Sequence, residues 1–492
     1  MGTRFALGVV RLLVRLFFRR VVVAGGEHLP ATGGGLLVAW HPNGLVDPAL
    51  LLAHTPRRVV FGARHGLFRV PLLGALMRAI GTVPIYRAQD AADVMGDAAE
   101  RRRRNEASLD ALAREIAGGS FSALFPEGKS HDAPHLLELK TGGARLVQRA
   151  HVLCTSETAA HVAPPVVVPV GLHYDKKSVY RSEALVVFHP PIALVGELAP
   201  ALPGADADEV TQRARRLTDA IEHALHEAVH ATESWEVNRV MHATRTLLRA
   251  ERARRAGAAL AAPDIQERER AFARVWTGYE RRRREDPSGT AALFARVREY
   301  GADLRALGVE DDELDRDPSF GARSLAAILL LQLALVYFLL PPLLLAGYVV
   351  NGPAYLAVRA LAAWGTRAEK DIATVKLLAG IVLYPLGWLV AGFLVARGIV
   401  AMPETFARMP DAPLAAGLAT AAFGALGGAV LVRYLELARE TWRAARVRLT
   451  RRRRRGAVAR LLAERAALCD AILAMAEGLD LPGQVDASGR IV

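Results

Sequence analysis

Leu377–Ala396 is a run of 20 residues without a charged side chain. An α-helix crosses a bilayer core with roughly 20 apolar residues. A chain carrying such a run either spans a membrane or buries the run inside a large helical core. Two more uncharged stretches flank it. Ser324–Val350 has Pro341 and Pro342 in its second half, and Ala412–Val432 is rich in Ala and Gly. The composition favours the membrane: 52% of the 492 residues are hydrophobic, and the mean hydropathy is +0.19. A basic tail with "RRRRRG" at Arg451–Gly456 follows, and arginine at that density favours the cytoplasmic side. The tail shares a side with the N-terminal part only if the crossings are even in number. Two full spans, Leu377–Ala396 and Ala412–Val432, meet that condition if Ser324–Val350 dips in and returns at the Pro-Pro pair, which removes two backbone donors.

The first residues, "MGTRFALGVVRLLVRLFFRR", are not a clean signal peptide, because Arg11 and Arg15 interrupt the apolar stretch and no small-residue cleavage site follows. Arg4, Arg11, Arg15 and Arg19 fall near one side of a helix, with Leu12, Leu13, Leu16, Phe17 and Phe18 as apolar surface. This describes a basic amphipathic helix lying on a membrane; a terminal helix packed on its own domain is the other reading.

Between residues 26 and 200 the pattern alternates. Gly35–Trp40, Arg58–Ala63, Thr82–Tyr86, Phe121–Phe125, Val166–Leu172 and Ala184–Phe188 read as buried strands. Val70–Ile80, Ala91–Ala117 and Lys140–Ala150 read as helices between them. The expected class is α/β, a central mixed sheet flanked by helices. The expected organisation is an amphipathic helix over 1–25, the α/β domain over 26–200, a charged helical extension over 205–320, a membrane region over 321–433 and a basic helical tail over 434–492.

Lys and Arg exceed Asp and Glu by 63 to 50, a formal charge of +13. The basic runs lack interleaved aromatics and accompany no nucleic-acid motif, so lipid headgroups, not nucleic acid, are the expected anionic partner. Only Cys154 and Cys469 occur, which offers neither a disulfide framework nor a cysteine metal site.

The stretch "VAWHPNGLVDPALLL" (Val38–Leu52) ends a strand in His41 and reaches Asp47 before a proline. Asp47 suits a helix N-cap, with Pro48 as first helical residue. His41 is not explained that way: it stands at the carboxyl end of a strand, where α/β folds place ligand sites. An imidazole there can take a proton from a hydroxyl, and a neighbouring carboxylate fixes its tautomer. Further on, "GTVPIYRAQD" ends a strand with Arg87, and "LFPEGKSHDAPHLLELKTGGARL" (Leu124–Leu146) ends another with Glu127 and Gly128, then Lys129, Ser130 and His131. A glycine turn followed by Lys and Ser donors suits an oxyanion or a phosphate. It is not a P-loop, because Ala123 stands where the first glycine belongs.

The order "HPNGLVD", "GTVPIYR", "FPEGKS", "VVVPVGL" resembles the four blocks of the glycerolipid (lysophosphatidic acid) acyltransferase superfamily, over about Gly26 to Pro191. Two features depart from the usual pattern: five residues, not four, separate His41 from Asp47, and the third block reads "FPEGKSHD". With "LLELKTGG" and "VYRSEALVVFHPPI", they are similar to the fungal-type glycerol-3-phosphate/dihydroxyacetone-phosphate acyltransferase branch. Lys129 departs from the small residue that branch carries, which leaves the acceptor open. The resemblance implies acyl transfer from acyl-CoA or acyl-carrier protein, without a covalent enzyme intermediate and without cofactor or metal. His41 would be the base and Asp47 its orienting partner. Arg87, Lys129 and Ser130 would hold the acceptor phosphate, Glu127 would order the Gly128 turn, and Lys140 and Arg181 would add charge; Asn43 and His131 complete the expected substrate-site residues. The acceptor would be glycerol 3-phosphate or dihydroxyacetone phosphate, with 1-acylglycerol 3-phosphate as the alternative. The enzyme would sit in the cytoplasmic membrane in several passes, its active site facing the cytoplasm. No Gly-x-Ser-x-Gly elbow occurs, in keeping with this.

Two other classes compete. "HEAVH" (His226–His230) matches the zinc-protease pattern, which needs both histidines on one helix face, although no extended ligand pattern follows. The remaining reading is a non-catalytic membrane scaffold.

Overall fold

The computed structural model describes the chain apart from residues 1, 87–97, 156–162, 203, 259–261, 316–319, 336–340, 367, 403, 405–411, 487–489 and 492. It divides into two compact units, Met1–Asn238 with Ala368–Thr374, and Arg239–Arg367 with Val375–Val492.

The first unit opens with α1 (Thr3–Phe17), β1 (Arg20–Ala24), β2 (Gly35–Ala39), α2 (Val46–His54), β3 (Val59–Arg64), α3 (Pro71–Ala79) and β4 (Val83–Ile85). It continues with α4 (Ala98–Ala117), β5 (Phe121–Leu124), α5 (Gly142–Thr155), β6 (Val166–Tyr174), β7 (Glu183–Phe188) and α6 (Ala207–Val229). The strands form one sheet in the order β1-β7-β6-β2-β5-β3-β4. All pairings are parallel except β6 with β7, so the expected mixed sheet is what forms. β2 is central and every residue of "GLLVA" in it is buried, as a strand covered on both faces requires. Its neighbours β5 and β6 both come later in the chain, so the connection order reverses beside β2. Such a switch point opens a crevice at the strands' carboxyl ends. Leu36, Val38, Leu112, Ile116, Leu146 and Val147 pack with Leu217, Ile221 and Leu225 in one core, so α6 belongs with the sheet.

Two local expectations change. β1 was not anticipated; Arg20–Ala24 pairs with Glu183–Val187. In α1, Ala6, Val10, Val14 and Phe17 are buried, while Phe5, Leu12 and Leu16 are more than half exposed. One stripe packs on the domain, as the second reading has it, and a second apolar stripe stays outside.

The second unit takes in most of α7 (Trp235–Arg255), then α8 (Ile265–Glu285), α9 (Pro287–Leu307), α10 (Ala322–Ala334) and α11 (Pro341–Gly365). It also holds all but the first six residues of α12 (Glu369–Ala401), with α13 (Pro413–Arg453) and α14 (Arg455–Ala476). Among the described residues, three helices are long and apolar enough to cross a membrane: Leu344–Gly365, Glu369–Ala401 and Pro413–Arg453. The first was not anticipated as a full-length span, because Asn351, Pro353 and Arg359 break its hydropathy in sequence. Asn351 is paired instead: it donates to Gly424 O (2.8 Å) and accepts from Trp388 Nε1 (2.8 Å). Glycines allow the close approach around it, since a Cβ on Gly347 would meet Gly427 O at 2.6 Å.

Candidate active site

β2 delivers Trp40 and His41, β5 delivers Phe125 and Glu127, and β6 ends in Tyr174. These are adjacent parallel strands, so their carboxyl ends share one edge of the sheet. The His41 ring stacks on Phe125 with centroids 4.0 Å apart and planes 10° from parallel.

His41 Nδ1 lies 2.8 Å from Asp47 Oδ2. Asp47 is fully buried. It also accepts from the Asn43 backbone N–H (2.8 Å) and from the Tyr174 hydroxyl. It is not the N-cap: α2 begins after Leu45 without a side-chain cap, and Asn43 O accepts from Val46 N–H at 2.9 Å. The cap reading of Asp47 is therefore corrected; its oxygens face the imidazole, not the helix. An acceptor-only carboxylate at Nδ1 holds the proton there, which leaves Nε2 as the free lone pair. Burial, followed by the Asp47 charge, pushes the Tyr174 phenol well above its ordinary value, so Tyr174 stays a donor.

Glu127 is buried and ties the second loop to the first. Its Oε2 accepts from His41 N–H (3.0 Å), and Oε1 accepts from Leu137 N–H (2.9 Å). Ala133 N–H donates to His131 Nδ1 at 3.2 Å, so Nε2 carries the proton and donates to Glu127 Oε1 at 2.6 Å. His131 N–H in turn donates to His41 O (3.0 Å). Both ring nitrogens of buried His131 are thus spent on protein groups. Gly128 turns with φ +72°, and a Cβ there would come within 3.0 Å of Lys140 Nζ. Lys129 and Lys140 are exposed and Ser130 is half-buried. Asn43 is fully buried and donates to Lys177 O (2.9 Å). Arg181 stands in the loop between β6 and β7 with φ +60°, its N–H on Phe17 O. Arg87 lies outside the described residues.

Several groups at this edge escaped the sequence reading. Tyr174 closes the block "VVVPVGLHY", where a polar residue ending a buried strand was the available signal. Lys177 donates to Asp132 (2.6 Å) and to Pro42 O (3.3 Å), joining the same loops. The least foreseeable segment is Ala368–Thr374. Lys370 Nζ donates to Ser130 O at 2.7 Å, and Leu45 N–H donates to Thr374 Oγ1 at 3.1 Å. Gly44, with φ +39°, has no room for a side chain: a Cβ would lie 2.6 Å from Thr374 Oγ1. Nothing in the local sequence of this segment announces the contact.

The zinc-protease pattern loses its geometry. α6 ends at Val229, and His230 caps it in the left-handed region with φ 49°, so the two histidines do not continue on one helical face. Among the described residues no group of three or more His, Cys, Asp and Glu side chains is arranged to hold a metal ion.

Residues 20–173 match the family model described as Acyltransferase. Glycerol-3-phosphate O-acyltransferase 2 of Saccharomyces cerevisiae is 25% identical over 54% of this chain and 34% of its own length. Glycerol-3-phosphate O-acyltransferase 1 of the same yeast is 27% identical over 54% of this chain and 33% of its own. An uncharacterized acyltransferase of Schizosaccharomyces pombe is 25% identical over 39% of each chain. The chain thus spans between a third and two fifths of the length of these relatives. Among solved structures, the 1-acyl-sn-glycerophosphate (LPA) acyltransferase PlsC from Thermotoga maritima is 17% identical, with a TM-score of 0.31 over 46% of this chain and 80% of that one.

Proposed function

We propose that this chain, a member of the glycerolipid acyltransferase superfamily, moves a fatty acyl group from an acyl thioester to a hydroxyl of glycerol 3-phosphate or dihydroxyacetone phosphate. The observation that carries the reading is the buried Asp47 carboxylate 2.8 Å from His41 Nδ1 at a sheet switch point. His41 Nε2 takes the hydroxyl proton as the oxygen attacks the thioester carbonyl. The C–O bond forms, the C–S bond breaks, and the imidazolium returns the proton to the leaving thiolate. Asp47 stabilises the imidazolium, while Tyr174 and Asn43 hold Asp47; Glu127 and His131 are positioning residues that lock the two loops together.

The acceptor phosphate is assigned to the basic groups around the Gly128 turn: Lys129, Ser130 and Lys140, with Arg87 and Arg181 as further candidates from the sequence. Lys370 joins them, because among the described residues its ammonium donates one hydrogen bond, to Ser130 O, and has three donors to give. The donor is acyl-CoA or acyl-carrier protein. The acceptor assignment draws on the two yeast relatives, whose names specify glycerol 3-phosphate.

The proposed setting is the cytoplasmic membrane, with the acyltransferase domain on the cytoplasmic side. The exposed stripe of α1 would lie in the interface. Ala368–Thr374 belongs to the acyltransferase unit, which supports a chain that has returned to that side before α12 crosses. α10 and α11 then form the entering and returning limbs, and α12 and α13 cross as a pair.

A panel of acceptors and donors on purified, detergent-solubilised protein tests the reading. Transfer to glycerol 3-phosphate or dihydroxyacetone phosphate, with release of free thiol and its loss in His41→Ala, is the expected result. Selective use of 1-acylglycerol 3-phosphate would move the assignment to the next acylation. No transfer to any of the three would overturn it.

A further inference from the structure

The second unit contains a cavity of about 260 Å³ between α7, α8, α9 and α14, closed in part by the C-terminal segment at Leu481 and Ile491. No residue of the His41 site lines it. Its walls are apolar, with Met241, Leu248, Val275, Leu293, Phe294 and Val297 among them. For scale, a dry cavity of roughly 150 Å³ accommodates benzene, so this one takes a stretch of alkyl chain.

The polar part of the lining is one-sided. Six arginines face one carboxylate, Glu267. Glu267 is already shared between Arg249 (2.7 Å) and Arg490 (3.2 Å). Arg274 spends its guanidinium on the carbonyls of Leu481, Pro482 and Gly483, which leaves its charge uncancelled. Among the described residues the Arg252 side chain makes neither a hydrogen bond nor a salt bridge. Burial lowers its pKa, Cys469 acts against that, and the Arg274 charge adds to the lowering. A partly desolvated cation held near a second cation is unfavourable unless an anion joins them.

We propose that this cavity binds a single-chain anionic amphiphile, its head group on Arg252 and its chain along the α7 and α9 wall. An inorganic anion would leave the apolar wall empty, and a neutral lipid would leave Arg252 unpaired. The head group is a carboxylate or a phosphate monoester. The inference rests on the cavity and not on the proposed acyl transfer.

The test is photolabelling of the full chain in phosphatidylcholine nanodiscs. The probes are diazirine analogues of palmitate, of a lysophosphatidate and of a neutral monoacylglycerol with the same chain. At least one anionic probe should label peptides of Val240–Arg252 or Thr290–Val297. The monoacylglycerol should label them about ten-fold less, because a charge-assisted contact is missing. Arg252→Gln should reduce the anionic labelling by a similar factor, Arg252→Lys should retain most of it, and Leu293→Trp should block it by filling the space. Which anionic probe labels more strongly identifies the head group. Equal labelling by the neutral probe, or none by either anionic probe, overturns the proposal on the wild-type chain, whatever the variants do. Acyl transfer measured on the same sample reports separately on the His41 site.

Discussion

Asp47→Asn should separate chemistry from structure at the proposed active site. Three donors converge on the Asp47 carboxylate: the His41 ring, the Asn43 backbone N–H and the Tyr174 hydroxyl. The amide has one oxygen in place of two and brings an NH₂ of its own, so at least one of the three donors then faces a donor. A buried donor left without an acceptor costs about 1–3 kcal/mol; the fold should survive with a lowered Tm. α2 should persist, since Asn43 O and not Asp47 receives its first N–H. Turnover should suffer far more. The neutral amide no longer stabilises the imidazolium and no longer fixes the proton on Nδ1. General-base catalysis contributes about 10²–10⁴ in rate, equivalent to about 2.7–5.4 kcal/mol, and kcat should fall by that order. Tyr174→Phe removes one donor and keeps the charge, so its loss should be about ten-fold or less. Initial rates of thiol release and thermal unfolding on the same preparations provide both readouts. Turnover of Asp47→Asn within about ten-fold of wild type would refute the assignment of Asp47 to the chemistry.

Lys370→Ala should raise the KM for the phosphorylated acceptor about ten-fold or more with little change for the acyl donor, and Lys370→Arg should recover part of it; an unchanged acceptor KM would confine Lys370 to bracing the Ser130 carbonyl. Burial, helped by the charges of His173 and His28, holds His189 down at about 4, and among the described residues its buried Nε2 has no hydrogen-bond partner. The unfolded imidazole binds its proton near 6.5, so stability from this group is complete above that pH and drains away as pH falls from 6.5 towards 4. His189→Gln should flatten the fall of Tm over that window, and an identical slope would contradict it. For topology, single-cysteine reporters at Thr366 and Glu404, in a background without Cys154 and Cys469, should be respectively shielded from and reached by an impermeant reagent in intact cells. Labelling at Thr366 would mean that α11 crosses without a returning limb.

The sequence alone carried the local half of this protein. Uncharged runs marked α10, α12, α13 and the first part of α11, because hydropathy is additive along a chain. β-branched runs marked six of the seven strands, and the residues that follow two of them, His41 after β2 and Glu127 after β5, were visible as polar groups at strand ends. β1 was invisible: five half-exposed residues become a strand only by pairing with β7, more than 160 positions on. The role of Asp47 was equally undecided, since "DPALLL" is as good a helix start as it is a catalytic block. Tertiary structure settled the geometry by placing β6 beside β2, which brings Tyr174 to Asp47 across 127 residues of sequence. The same holds for Lys370 and Thr374, which meet Ser130 and Leu45 across 240 and 329 residues. Periodicity and spacing describe what a residue does to its near neighbours. A hydrogen bond between segments depends on strand order and helix packing, which the whole chain must fold to determine.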